Sequence, residues 1–583
     1  MIESQSFYPL HYQTDGQGGY PQRNDFTLTV IDDSCGSGII ARRNFKPGEL
    51  VARISGDIVA EVKLHTLQIN PTQHLFDPYF SGYLLHSCCP NAILDMQAFE
   101  IWALRTIQAG ELLTIDYTMT EDVLARQFAC LCQSPQCRLW ITGRKETTNE
   151  AGRQYLQIKD EAFTPQQSSA VSLWWERPDL CYQENRLTFA GRDVVTIARQ
   201  SGKPTFLYDA HRVSHNLRKL TVALGQANIP YRIFYAMKAN RFMPLLTYIK
   251  STQLCGVDVC SPQEIQLALA CGFAEHEISY TGCSVSDPDL DALLRYPLLL
   301  LNCDSLSMIR RVGERTPGRS IGLRINPALG VSYDNNELLQ YSGAQPSKFG
   351  IYREQFAEAL ALCRQYGLSV ERIHFHSGCG YLNDQLATWE QVLQNCRWFL
   401  DQVADLKAIN IGGGLGVAHK SSDTSLDLSA WIEIIQRNLS SYNVEIQVEP
   451  GDYIVKDAGL LVLQVTMRET KQDTCFVGVN GGFNLAIEPA FYNLPCEPAV
   501  CVLAADDPEA LAPEQWKPVT IVGNINEALD IWYENFPLAP VKEGDYLAFL
   551  NAGGYAAAMS SNHCMRGDFA EQLFIGRPLQ TGG

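Results

Sequence analysis

The chain has 583 residues, too many for one ordinary domain; at roughly 100–200 residues per domain it should hold three or four units. Apolar residues make up 46% and charged residues 19%, which excludes a disordered chain. The 64 acidic against 46 basic side chains, net −18, argue against any hold on nucleic acid, and 19 cysteines are too sparse and odd in number for a disulfide framework.

Reduced thiols and a cytoplasmic location follow as expectations. The opening residues show no basic segment followed by an apolar core. The longest apolar run, near Tyr296–Leu301, is too short to cross a bilayer, so neither a signal peptide nor a membrane partner is expected.

Residues 1–148 read as β-rich, with strand-like runs at Phe26–Ile31, Gly38–Ala41, Leu50–Ile54, Glu100–Ala103 and Leu112–Asp116 between glycines and prolines. Glu121–Gln127 reads as helical. Behind it stand Cys130, Cys132 and Cys137. Three thiols this close cannot all face one core. A tetrahedral Zn²⁺ would need a fourth soft ligand, for which Cys88 in His86-Ser87-Cys88-Cys89-Pro90-Asn91 is the candidate. Clustered free thiols are the alternative. Glu111–Tyr117 reads as a strand ending in a tyrosine, which alone would be an ordinary core residue.

Taken together, and with Gly36-Ser37-Gly38 and Phe45-x-Pro47-Gly48-Glu49, these motifs resemble a SET-domain methyltransferase with a zinc-binding post-SET segment, over roughly Thr27–Gly143. The resemblance implies a β-rich, pseudoknotted fold and S-adenosylmethionine as methyl donor. Gly36, Gly38 and His86 would lie at the donor site. Tyr117 would orient the acceptor amine, a task of positioning and electrostatics. The family usually has asparagine before His-Ser-Cys; Leu85 stands there instead and removes a polar group near the donor.

Residues 149–175 are polar without a period and read as a linker. From Thr205 strand-like and helical stretches alternate. The strand-like runs are Thr205–Tyr208, Tyr231–Ala236, Gly256–Val259, Ile278–Tyr280, Leu298–Asn302, Ser320–Ile325, Arg372–His376, Lys407–Ile411 and Glu445–Val448. Pro262–Ala270 and Arg353–Gln365 read as helices between them. This predicts a (β/α)8 barrel over 206–457. Residues 176–205 together with 458–583 are expected to build one β domain.

Four features of the barrel carry chemistry. Lys238 follows an early strand, where barrels place reactive groups, and a desolvated lysine can form a Schiff base. Gly412-Gly413-Gly414 follows a later strand and exposes backbone N–H groups to an anion. Glu449 ends the last strand and could keep a pyridine nitrogen protonated. His376 ends a strand between these and could lie over a flat ring. Each has a plain structural reading by itself: a snorkelling lysine, a tight turn, a hydrogen-bonded core histidine.

In their order and spacing they resemble the fold-type III pyridoxal-phosphate decarboxylases, the ornithine and diaminopimelate decarboxylase family, over about Leu187–Arg566. The shared motifs include Tyr235–Asn240, Asp258–Glu264, Leu323–Pro327, Phe375–Gly378, Glu449–Gly451 and Gly553–Tyr555. The resemblance implies an alanine-racemase-like barrel that binds pyridoxal 5'-phosphate. Lys238 would bond the cofactor, His376 stack on its ring and Glu449 pair with its nitrogen. Gly412, Gly413, Gly414 and Tyr555 would hold its phosphate, with Arg324 joining the cofactor set. It also implies a head-to-tail homodimer with shared active sites, Lys348 and Asp530 matching an intersubunit pair.

The departures point to substrate. The family's Glu-Pro-Gly-Arg ends here in Asp452. Its catalytic cysteine, supplied by a partner subunit, is replaced by Asn526, beside Glu527. The serine after His-x-Gly is Cys379. Diaminopimelate enzymes carry an arginine before Pro-x-x-Tyr; this chain has Glu488 before Pro489-Ala490-Phe491-Tyr492. Arginine to glutamate reverses the charge preference, so Glu488, Tyr492, Asn526, Glu527 and Asp452 should receive a distal ammonium or guanidinium.

The expectation is a bifunctional enzyme. One activity is decarboxylation of a basic amino acid such as lysine, ornithine, arginine or an N-methylated relative; the other is N-methylation of that amino acid or its amine product. Alternatives are a decarboxylase tethered to a protein lysine methyltransferase or to an inactive SET scaffold and, in the barrel half, a racemase or a silent paralogue.

Overall fold

The computed structural model describes residues 6–13, 18–32, 36–130, 132, 137–138, 140–153, 155, 173–227, 229–343, 345–504, 507 and 509–575. The chain forms two compact units, Met1–Thr164 and Pro165–Gly583. Most of the expected linker, 149–175, lies outside the described residues.

The first unit is a set of small sheets. Phe26–Asp32 pairs antiparallel with Gly36–Ala41, and Glu100–Ala103 lies between Leu50–Arg53 and Ala92–Asp95. Alternation places Ile39, Phe45, Ile101, Ile107 and Leu113 in one core, where Phe26 stacks on Phe45 at 5.5 Å. Leu85–His86 runs parallel to Thr114–Ile115, which brings His86 beside the segment leading into Tyr117. Tyr117–Thr120 is helical, and Glu121–Gln127 is not. The Glu121 carboxylate accepts the Gln68 N–H, and the Gln68 side chain accepts the Asp122 N–H at 2.6 Å. These tertiary bonds replace the i to i−4 bonds a helix would need.

The second unit contains a closed barrel of eight parallel strands: Tyr231–Ala236, Gly256–Val259, Ile278–Thr281, Leu300–Cys303, Ser320–Arg324, Ser369–His374, Ala408–Asn410 and Glu445–Val448. Thr205–Asp209 is not a barrel strand. It pairs antiparallel with Gly459–Lys471 and parallel with Ala570–Phe574. All five of its residues are buried, and a continuously apolar run does not say which sheet buries it. Helix Ala210–Gln226, capped by the Asp209 side chain on the His211 N–H, carries the chain from this sheet to the first barrel strand. Residues before the barrel pack with the sheet that follows it: Leu187 donates to the Cys501 carbonyl at 2.8 Å. Phe189 and Val194 share a core with Leu461, Val477 and Phe549.

Candidate functional sites

The C-terminal ends of the barrel strands converge on one cleft. Lys238 lies in the single helical turn Met237–Ala239 directly after the first strand. Asp258 sits in the second strand and Arg324 ends the fifth. His374 ends the sixth, His376 follows it, and Glu449 follows the eighth. All of these line the cleft with Gly413, Gly414 and Tyr555.

Glu449 is the hub. It bonds His374 Nε2 at 3.0 Å, Asn410 Nδ2 at 2.6 Å and Ser279 Oγ at 3.3 Å. Burial opposes its ionisation, but His374 and Asn410 hold its pKa below the ordinary carboxylate value. Asp258 goes the other way: burial, then the nearby Glu449, push its pKa well above the ordinary value. One carboxyl is ionised and its neighbour protonated. Burial, reinforced by Lys238 and Arg324, pushes His376 well below the ordinary histidine range, so its ring is neutral and free to stack. That ring lies 4.7 Å from the ring of Tyr341, and its Nε2 is 3.7 Å from Cys379 Sγ. Arg324 is oriented by Asp304 at 3.1 Å and stands over Phe349.

Pyridoxal phosphate fits this donor set. Among the described residues, buried His374 Nδ1 and Asp258 Oδ1 have no hydrogen-bond partner, which suits a ligand with a polar ring edge. At the other end Gly412 and Gly414 have φ of +68° and +95°, and a Cβ on Gly413 would stand 2.2 Å from the Glu449 carbonyl. Only glycine permits this loop; the Gly412 N–H is taken by Asn410 Oδ1 at 2.9 Å, which leaves those of Gly413 and Gly414, both on the cleft wall, for an anion. Tyr555 donates its N–H to the Ala239 carbonyl at 2.8 Å, tying the β-domain loop to the lysine segment.

The substrate set is not assembled as expected. Asp452 lines the cleft. Glu488 is not an unpaired charge: Lys456 Nζ lies 2.7 Å from both of its oxygens and 3.2 Å from Asp452 Oδ1. A buried carboxylate without a counter-charge is too costly to stand alone, and Lys456 answers that cost. The side chain of Tyr492 packs with Leu339, Leu382 and Leu494 outside the cleft lining. Asn526 and Glu527 are exposed and do not line their own chain's cleft; Glu527 pairs with His563 at 3.2 Å. Asp530 is used within its own chain, accepting the N–H groups of Phe483 and Ile525 at 2.7 and 2.6 Å.

The first unit holds a cavity of about 670 Å³, lined in part by Gly36, Leu85, His86, Tyr117, Glu121 and Phe128. Gly38 lies behind its wall, where a Cβ would meet Leu112 at 2.8 Å. The Tyr117 hydroxyl donates to the Leu84 carbonyl at 2.7 Å, and burial raises its pKa, so the phenol is neutral. His86 connects two features: Nδ1 accepts the Tyr117 N–H at 3.3 Å and Nε2 lies 3.3 Å from Cys88 Sγ. The ligand atoms of Cys88, Cys130, Cys132 and Cys137 all lie within 4.8 Å of one another. A tetrahedron with metal–sulfur bonds of about 2.3 Å has edges near ~3.8 Å. The Cys88–Cys130 separation is 3.8 Å, so the four thiols fit Zn²⁺.

Sequence reasoning missed His374, Asn410, Asp258 and Lys456 as site residues. His374 had a signal, because His374 and His376 are two apart on a strand and share a face. Lys456 had a weaker one, four residues after Asp452 on a helical turn.

Two family models match the chain: a SET domain over residues 36–118, and the pyridoxal-dependent decarboxylase, pyridoxal binding domain, over residues 211–456. A diaminopimelate decarboxylase of Methanothermobacter thermautotrophicus is 30% identical over 404 residues, covering 67% of this chain and 91% of the relative. That of Escherichia coli K12 is 29% identical, covering 66% and 91%. Among solved structures, a diaminopimelate decarboxylase from Helicobacter pylori complexed with L-lysine aligns with TM-score 0.58 at 22% identity, over 66% of this chain and 96% of that one. A Paramecium bursaria Chlorella virus arginine decarboxylase bound to agmatine aligns with TM-score 0.56 at 19% identity, over 65% and 98%.

Proposed function

Because this chain belongs to the pyridoxal-dependent decarboxylases of the diaminopimelate and ornithine type and carries a SET domain ahead of that half, we propose that it decarboxylates a basic amino acid and N-methylates the same amino acid or its amine product. The observation behind the substrate choice is the acid pair Asp452 and Glu488, where the resemblance leads one to expect arginines. With one ammonium between two carboxylates the cluster keeps a net negative charge, which disfavours a distal carboxylate. The relatives bound to L-lysine and agmatine make a basic ligand chemically reasonable.

In the barrel, bound pyridoxal phosphate would supply an electron sink for the pair left when CO₂ departs. Lys238 would provide the amine that bonds it. Ionised Glu449 would keep its ring nitrogen protonated, and neutral His376 would cover one ring face. The Gly413 and Gly414 amides and Tyr555 would hold its phosphate. The buried, protonated Asp258 can donate rather than accept, which leaves Glu449 as the carboxylate that would serve the ring nitrogen.

In the SET unit, the 670 Å³ cavity is large enough for a methyl donor with an acceptor amine beside it. The neutral Tyr117 phenol would orient that amine without protonating it. Zn²⁺ on the four thiols would brace the segment that carries Phe128 and Cys132 to the cavity wall. A homodimer with shared sites would give the exposed Asn526–Glu527 loop a role in a neighbouring cleft, and a cytoplasmic location would keep the thiols reduced.

Mass spectrometry of reactions with enzyme, pyridoxal phosphate, S-adenosylmethionine and lysine, ornithine, arginine or diaminopimelate tests the whole reading. Decarboxylated and methylated small products are expected. Faster turnover of diaminopimelate than of every basic amino acid would refute the substrate class. Methyl transfer to protein alone would move the SET unit to a polypeptide substrate, and none at all would make it a scaffold.

A further inference from the structure

Lys456 is 1% exposed, and its ammonium has three N–H donors. Two face the oxygens of Glu488 at 2.7 Å and the third faces Asp452 Oδ1 at 3.2 Å. The lysine is therefore saturated while the acids are not. Among the described residues the Asp452 carboxylate accepts nothing else. It is also the member of the cluster that lines the cleft. Two carboxylates and one ammonium leave one negative charge in a desolvated setting, where an unmatched charge is expensive. The cofactor's phosphate cannot settle that imbalance, because it would add negative charge. A cation entering the cleft can.

We infer that Lys456 is a resident counter-ion that holds Asp452 and Glu488 as one cluster with room for a single further positive charge, and that the substrate's distal cation supplies it at Asp452. This rests on the basic-amino-acid reading above. Asp452 is then the contact residue, and Lys456 a positioning residue that aims it by binding behind it. The arrangement also gives a size rule. A distal ammonium or guanidinium must reach Asp452 from the reacting end at Lys238, so a chain with no cation forfeits the contact and a chain with a carboxylate meets repulsion.

The test uses the holoenzyme with two amino acids of the same chain, lysine and norleucine, the second lacking the distal ammonium. Wild type should prefer lysine in kcat/KM. Asp452→Asn and Lys456→Met should each reduce that preference at least about tenfold. The change should appear as a larger rise in KM for lysine than for norleucine, with the visible absorbance of bound cofactor retained. Lys456→Arg should keep the preference. If both neutral variants discriminate lysine from norleucine as wild type does, the inference is wrong. It is equally wrong if they lose lysine and norleucine turnover alike, since that marks a purely structural cluster. If Lys456→Met fails to fold, Asp452→Asn decides. A wild-type enzyme with no preference for lysine over norleucine would overturn the basic-substrate reading itself and this inference with it.

Discussion

The barrel cleft and the SET cavity are built on opposite principles. The cleft is crowded with groups whose charge states differ over a few ångströms: Glu449 ionised, Asp258 protonated, His376 neutral. The cavity is wide and mixes apolar side chains with Lys63, Glu121 and Arg126, and its neutral Tyr117 phenol bonds, among the described residues, only a backbone carbonyl. A site that must stabilise shifting charge needs preset charges of its own. A site that only aligns an amine with a methyl donor needs shape. The two halves should therefore fail differently when perturbed.

The sharpest break is Lys238→Ala. It should abolish decarboxylation and the visible absorbance of bound cofactor while methyl transfer continues. Glu449→Gln should lower decarboxylation kcat by about 10²–10³-fold, the scale for losing one preorganised electrostatic partner. Near-normal activity would show that the ring nitrogen is not served by this residue. Tyr117→Phe should lower methyl transfer by about 10²-fold through misplacement of the amine and leave decarboxylation alone. A loss in both activities would contradict the separation of the two sites.

Metal removal gives a structural contrast. The chain should carry one zinc by elemental analysis, and Cys130→Ser should lose it. The same change should lower the melting transition of the SET unit and not that of the barrel. The smallest effect concerns pH. Burial raises the Glu488 pKa to about 7, against the lowering influence of Lys456. The preference for lysine over norleucine should thus be weaker below pH 7, where Glu488 is protonated, and rise by up to about tenfold between pH 6 and 8 before levelling off. A flat ratio between pH 6 and 8 would show that Glu488 stays in one state.

The two halves also differ in how much of each could be read beforehand. Lys238, Gly412–Gly414 and Glu449 were legible because each sits where a strand ends, and five further barrel strands fixed where those ends must meet. The four-thiol cluster was legible because three of its cysteines are close in sequence. Pairings decided by burial alone were not. Thr205–Asp209 looks like any apolar strand, and only its partners at Gly459–Lys471 and Ala570–Phe574 assign its sheet. The segment after Thr120 lost its expected helix to Gln68, a residue more than fifty positions away in sequence. Glu488 stands out in the sequence for its charge, but its counter-ion lies in another motif, and charge pairing across motifs leaves no local pattern.

The strand Thr205–Asp209 has a consequence for how the chain is made. It lies between a strand that follows the barrel and one near residue 570, and Tyr208 bonds Glu571, 363 positions later. During synthesis this strand waits with both edges open through the whole of barrel production, and with one still open until residue 574 is made. Contacts of such sequence separation are slow to close, and an open apolar edge invites pairing between neighbouring nascent chains. The barrel can close on local βα units as they emerge, whereas the sheet beside it is completed last. Expression at low temperature, or with chaperones that shield strand edges, should therefore raise the yield of this half more than that of the SET unit.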